Sequence, residues 1–201
     1  MKKLSIMLAL LCTTVMFSQK LKVTEGKFDF FEGQKEINVE FDYDNMKLFK
    51  KDLTNEEYMK ERSADLEEKG RGKGKAWEKK WMASRELIYQ PKFLELMNRR
   101  LEEDHGIYFS EGATDTKYTL IVETVWVYPG WNAAVMRQPA KVSTKLIFVE
   151  TANRDNVLLV ITGKNAPGNR FGGTFSNEDR IGEGYAKTGK SVAKLISKKA
   201  F

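Results

Sequence analysis

KVSTKLIFVETANRDNVLLVITGK, residues 141–164, decides the fold of this chain. Two runs rich in β-branched and apolar residues, 141–150 and 157–164, enclose Ala152-Asn153-Arg154-Asp155-Asn156, a cluster of turn formers. Such side chains suit a pleated surface and the polar cluster supplies a reversal, so the pattern predicts a hairpin of two central strands. Upstream, residues 118–128 have the same character and predict a third strand. Outward from these strands the period changes to that of helices. Downstream, a Gly- and Asn-rich loop, 165–174, leads to a terminal helix opened by Ser176 and Asp179, with Ile181, Tyr185, Thr188, Val192 and Leu195 along one face. Upstream, Phe93, Leu94, Met97 and Leu101 are spaced as on a helix that begins at Pro91 and ends at Gly106. Trp77, Trp81 and Ile88 mark a helix before it, and Thr54 with Glu57 forms a capping box opening another that reaches about Lys69.

At the start of the folded region, Ile37, Val39, Phe41 and Tyr43 alternate with polar residues. With residues 27–31 they predict a half-buried hairpin around Glu32-Gly33-Gln34. The order is β-β-α-α-α-β-β-β-α. Strands and helices segregated in this way predict an α+β fold, a mostly antiparallel or mixed sheet with helices packed on one face.

Residues 1–18 read as an export signal. Lys2 and Lys3 form a basic start, residues 4–17 carry no charge, and Ser18 offers a cleavage point before Gln19. The apolar span is short of the roughly 20 residues needed to cross a bilayer, so no membrane span is expected in the mature chain. Residues 19–201 are then expected to form a single α+β domain in the periplasm or outside the cell. Cys12, the only cysteine, lies inside the leader and follows Leu11, where lipid-transferring enzymes take a small residue. Lipoprotein anchoring is therefore not expected, and the mature chain has no thiol chemistry and no disulfide. Loss of the leader reduces 34 basic residues to 32 against 28 acidic ones, a net charge of +4. This mild basicity favours anionic envelope material over nucleic acid, which an exported protein seldom meets.

Gly184-Tyr185-Ala186-Lys187-Thr188-Gly189-Lys190-Ser191 matches the phosphate-binding loop pattern G-x-x-x-x-G-K-S. Such a loop must leave a buried strand and open a helix. Here the residues before it are polar and already helical in period, so Gly184, Gly189, Lys190 and Ser191 are read as helix and no nucleotide or other cofactor is expected. Lys187, Lys190 and Lys194 are expected on its water-facing side. His105 is the sole histidine and precedes Gly106 at a helix end, where it complements the helix dipole; no metal site is expected. Asp42, Asp44 and Asn45 lack the glycine and closing glutamate of a calcium loop. The binding candidates lie on two loops. Tyr128, Trp131 and Arg137 belong to the long connection that ends at Ala140, and Arg170 and Phe171 to the glycine-rich loop.

Phe41-Asp42-Tyr43-Asp44-Asn45-Met46, Lys117-Tyr118-Thr119-Leu120-Ile121-Val122, Pro129-Gly130-Trp131-Asn132 and Arg180-Ile181-Gly182-Glu183-Gly184-Tyr185-Ala186-Lys187 resemble segments of an uncharacterised family of exported Bacteroidetes proteins. More distantly, the order of elements after Gly106 is similar to the α/β modules of periplasmic assembly lipoproteins related to the curli-secretion protein and the TolB amino-terminal domain. These resemblances imply export and the envelope, and carry over no catalytic residue. The expectation is an exported, non-enzymatic envelope module binding a protein or an anionic glycan. The alternative is a secreted hydrolase of polysaccharide or peptide, working through a carboxyl pair in a concave pocket, with one pKa raised by burial.

Overall fold

The computed structural model describes residues 19–133, 136–168 and 176–201. In chain order the elements are β1 (Lys20–Gly26), β2 (Glu36–Asp42), β3 (Lys47–Leu48), α1 (Asn55–Glu68), α2 (Lys73–Ser84), α3 (Gln90–His105), β4 (Tyr108–Glu111), β5 (Tyr118–Tyr128), β6 (Trp131–Ala133), β7 (Met136–Gln138), β8 (Ala140–Glu150), β9 (Val157–Gly168) and α4 (Asn177–Lys199). The main sheet has the order β1-β9-β8-β5-β2-β4, with β3 alongside the end of β5; β6 and β7 form a separate hairpin. The fold is α+β with a mixed sheet, as expected. The strands β5, β8 and β9 form its antiparallel centre, and the turn cluster at 152–156 joins β8 to β9.

The expected first hairpin does not form. The initial strand is Lys20–Gly26, while Asp29–Phe31 is a single 3-10 turn. β1 pairs antiparallel with β9, whereas β2 lies parallel to both β4 and β5. The chain between them passes over the end of the sheet, held by aromatic packing. Phe30 and Phe31 meet the Phe148 ring at centroid distances of 5.5 and 5.2 Å, and Phe30 sits edge-on to Tyr118 at 5.1 Å. These contacts bury apolar surface that a solvent-facing hairpin turn would have left wet.

The helices lie on one face of the sheet. On that face the Phe41 ring meets Phe93 of α3 edge-on at 5.6 Å, and the Thr124 and Tyr185 hydroxyls of β5 and α4 are 2.6 Å apart. The opposite face mixes apolar residues such as Ile121, Ile147 and Val160 with a polar cluster. There Asn38 donates its side-chain N–H to Thr119 Oγ1 (3.2 Å), and Arg154 makes a two-pronged pair with Glu40 (2.9 and 2.7 Å).

Thr54 accepts from the Glu57 N–H while Glu57 accepts from the Thr54 N–H, so α1 starts where the capping box places it. The helix expected to begin at Pro91 starts at Gln90, but with no break before it. A π-turn, Arg85–Tyr89, carries α2 directly into α3, and Pro91 sits in the first turn of α3. The wider i to i+5 pattern leaves room for a residue that has no N–H to donate. At the far end Gly106 adopts φ 68° and closes α3, while His105 Nε2 lies 2.7 Å from Ser197 Oγ of α4. Asp42 Oδ1 accepts the Asp44 N–H at 2.8 Å, which engages that carboxylate in a local turn.

The stretch matching the phosphate-loop pattern lies wholly inside α4, and its glycines are packing positions. A Cβ on Gly184 would stand 2.6 Å from Val142 Cγ2 of β8, and one on Gly189 would collide with the Phe93 carbonyl of α3. α4 can therefore approach both the sheet and α3 closely. Tyr185, Thr188 and Val192 are fully buried, and Lys190 and Lys194 face water. Lys187 differs from expectation: it is half-buried, and burial lowers its pKa.

Candidate functional site

A β-bulge prepares the site. Register shifts between Thr124 and Trp126, so that Val127 pairs with Val142 and faces the helices, while Trp126 and Tyr128 take the other parity. Strict alternation from Leu120 and Val122 would have put both aromatic residues under the helices. Instead their rings stack at 6.2 Å, and Tyr128 meets Phe49 edge-on at 5.5 Å. Phe49 continues the wall to Tyr58 of α1 (5.3 Å), whose ring packs against Trp77 and Trp81 at 5.6 and 5.1 Å. Burial pushes the Tyr58 hydroxyl up to about 12, with Arg62 partly opposing the shift.

Residues 49–52 form the tight turn between β3 and α1. Phe49 and Asp52 both have positive φ, 59° and 51°, and the Phe49 carbonyl accepts the Trp126 indole N–H at 2.8 Å. The turn projects Lys50 and Lys51 into solvent. On the other side, Gly130 has φ 73°, and a Cβ there would lie 2.5 Å from the Gln138 carbonyl. Only glycine fits this reversal. It brings Trp131 back beside Gln138, whose side-chain oxygen accepts both the Trp131 indole N–H (2.9 Å) and the Tyr128 hydroxyl (2.7 Å). Trp131 is thus fixed at its edge while 42% of its surface stays exposed.

These pieces enclose an open cavity of about 850 Å³. Phe49, Tyr58, Tyr128 and Trp131 supply its aromatic lining, while Lys50, Lys51, Arg62 and Arg180 supply its cations. Burial lowers the Arg180 pKa, and its guanidinium hydrogen-bonds Asn177 one turn earlier. Glu61 and Asp65 are the cavity's acidic residues among those described, so positive charge is in excess.

Two of the sequence-predicted binding residues, Tyr128 and Trp131, therefore meet in one site. Arg137 is opposite Asn132 in the β6–β7 hairpin, and its side chain is outside the described part of the structure; Arg170 and Phe171 lie outside the described residues. Lys50, Lys51, Arg62 and Arg180 were missed. Their only sequence signal is basicity, which is ordinary on a protein surface. A smaller groove of about 310 Å³ between α3 and α4 exposes Lys190 and Lys194 beside Arg99 and Arg100, the last two engaged with Glu95 (2.6 Å) and Asp104 (3.6 Å).

Glu61 and Asp65 are four residues apart on α1 and so share one wall of the cavity. Glu111, whose carboxyl is raised by burial and by the Glu86 charge, stands on edge strand β4 outside the cavity. Among the described residues no three His, Cys, Asp or Glu side chains converge as metal ligands would, and no helix is long and apolar enough to cross a membrane.

No protein-family model and no curated protein matches this chain. Among solved structures it is similar to two PelC dodecamers from Paraburkholderia phytofirmans. One, a variant, is 10% identical with a TM-score of 0.39, covering 91% of this chain and 99% of the PelC chain. The other is 10% identical with a TM-score of 0.36, covering 90% and 94%. Both scores are under 0.5, and the cavity is read from its own geometry.

Proposed function

We propose that this chain is an exported, non-enzymatic module of the cell envelope that binds a protein or anionic glycan partner through the cavity beside Trp131. One observation carries the reading: a large indole, locked at its edge by Gln138 yet widely exposed, lines a cavity with excess positive charge. Large concavities with aromatic walls and a few directed polar groups are the usual form of a binding site. The export-type leader and the basic mature surface support an envelope location. The hydrolase alternative requires carboxyls on both sides of a scissile bond, whereas Glu61 and Asp65 project from one helix.

Cell fractionation with amino-terminal sequencing, followed by crosslinking through the cavity lysines, tests the proposal. The expected result is a mature chain beginning at or near Gln19 in the envelope or medium, with Lys50 or Lys51 crosslinked to an envelope component. Finding the protein confined to the cytosol with residues 1–18 intact would overturn it.

A further inference from the structure

We infer that the ligand of the Trp131 cavity is a saccharide whose sugar ring carries an acidic group, a carboxylate or a phosphate. The inference rests on reading this cavity as the binding site and assigns a ligand class to it.

The chemistry of Trp131 comes first. Its indole N–H is already donated to Gln138 at 2.9 Å, so what the exposed part of the ring offers a ligand is apolar surface and the negative face of its π system. A pyranose presents a matching patch of C–H groups, polarised positive by the ring oxygens, and stacks there without needing the indole hydrogen bond. Gln138 reinforces the point. Its side-chain oxygen holds both Tyr128 and Trp131, and its amide nitrogen makes no hydrogen bond among the described residues. That leaves a fixed N–H donor next to the stacking ring, suited to a sugar hydroxyl.

The charge comes second. Lys50, Lys51 and Arg62 line the cavity and form no ion pair among the described residues, although Arg62 is half-buried and thereby partly stripped of water. Arg180 adds a fourth cation from α4, in surroundings that burial makes costly for positive charge. A half-buried cation with no ion pair among the described residues, as Arg62 is, gains most from an anion that replaces its lost hydration. A neutral sugar would leave Lys50, Lys51 and Arg62 without a counter-charge. A fatty acyl chain would answer it at one end only, and would place its length against Lys50, Lys51, Glu61 and Asp65. The volume, about 850 Å³, lies in the range of small-molecule sites.

Calorimetric and tryptophan-fluorescence titration of the mature chain, residues 19–201, provides the test. The probes are trigalacturonate for carboxylate, glucose 6-phosphate for phosphate, and maltotriose as the neutral control. At least one acidic probe is expected to bind tenfold or more tightly than maltotriose, with affinity falling as salt rises. Trp131→Ala, a change at an exposed ring, is expected to weaken that binding at least tenfold with an unchanged circular dichroism spectrum. Arg62→Met is expected to remove most of the preference for the acidic probe, weakening its binding by a larger factor than the binding of maltotriose. Whichever acidic probe binds identifies the acid group. Equal binding of all three sugars, no binding of any at millimolar concentration by folded protein, tighter binding of uridine monophosphate than of either acidic sugar, or full affinity in Trp131→Ala would each overturn the inference. A chain that reaches the envelope and crosslinks to a protein, yet binds no sugar, would sink this inference alone; a cytosolic chain that binds trigalacturonate would sink only the envelope proposal.

Discussion

Gly189→Ala sets two physical effects against each other, and the structure says which prevails. In an exposed stretch of helix the change from Gly to Ala stabilises by about 1 kcal/mol, because alanine loses less backbone entropy on folding. At position 189 the new methyl would lie inside the 3.0 Å limit that real Cβ atoms keep from their neighbours, and the obstacle is the backbone carbonyl of Phe93. A side chain could rotate away; a backbone carbonyl in the first turn of α3, continuous with the helical turn before it, can move only if α3 and α4 separate. Overpacking against so stiff a neighbour belongs at the upper end of the usual range, about 3 kcal/mol. The net expectation is a loss of about 2 kcal/mol. For a chain of this size that lowers the melting temperature by roughly 4 to 8 °C. Urea denaturation followed by circular dichroism measures it, with Lys190→Ala, one residue away and exposed, as the control expected within about 0.5 kcal/mol of wild type. A Gly189→Ala protein as stable as wild type or more so would refute the close-packed helix. So would micromolar ATP binding that Lys190→Ala abolishes, since that is the behaviour of a phosphate loop.

Tyr185 separates packing from hydrogen bonding. Tyr185→Phe keeps the ring stacked on Tyr89 (5.1 Å) but strands the Thr124 hydroxyl in the core, an expected cost of about 1 to 3 kcal/mol, while Tyr185→Ala is expected to cost about 3 to 5 kcal/mol; equal losses in chemical denaturation would contradict the division. The Arg154 hydrogen bonds hold the Glu40 carboxyl below its ordinary 4.5. The pair therefore contributes stability above that value and loses it as pH falls through the lowered folded pKa. Both side chains are over two-fifths exposed, so the contribution at neutral pH is under about 1 kcal/mol. In Arg154→Met, carboxyl titration by NMR is expected to show Glu40 returning upward, with the stability difference from wild type shrinking in acid; a difference that persists undiminished there would point to some cause other than the ion pair.

What the chain encodes locally could be read from it directly. The β8–β9 hairpin follows from two runs of strand formers around five turn residues, and α1 and α4 begin at Thr54 and Ser176 because each cap and its partner lie three residues apart. Trp131 was legible as a binding candidate because it follows a Pro-Gly turn in a long connection, and the structure leaves it 42% exposed. Partner choice was not legible. Alternation in residues 37–43 tells which side chains share a face, but the same alternation fits an antiparallel hairpin and the parallel ladder with β4 and β5 that forms. Nor does the period of two reveal the bulge that moves Trp126 and Tyr128 to the other parity of β5. That the phosphate-loop pattern belongs to a helix was legible from the polar, helically spaced residues before it, but the packing role of its glycines follows only from what Gly184 and Gly189 touch, on β8 and α3. The cavity likewise joins the turn at 49–52, α1, the end of β5 and the start of α4. Helical and strand periods and caps arise from interactions within a few residues, whereas strand pairing, close helix approach and the convergence of Lys50, Arg62, Trp131 and Arg180 depend on which distant surfaces bury one another.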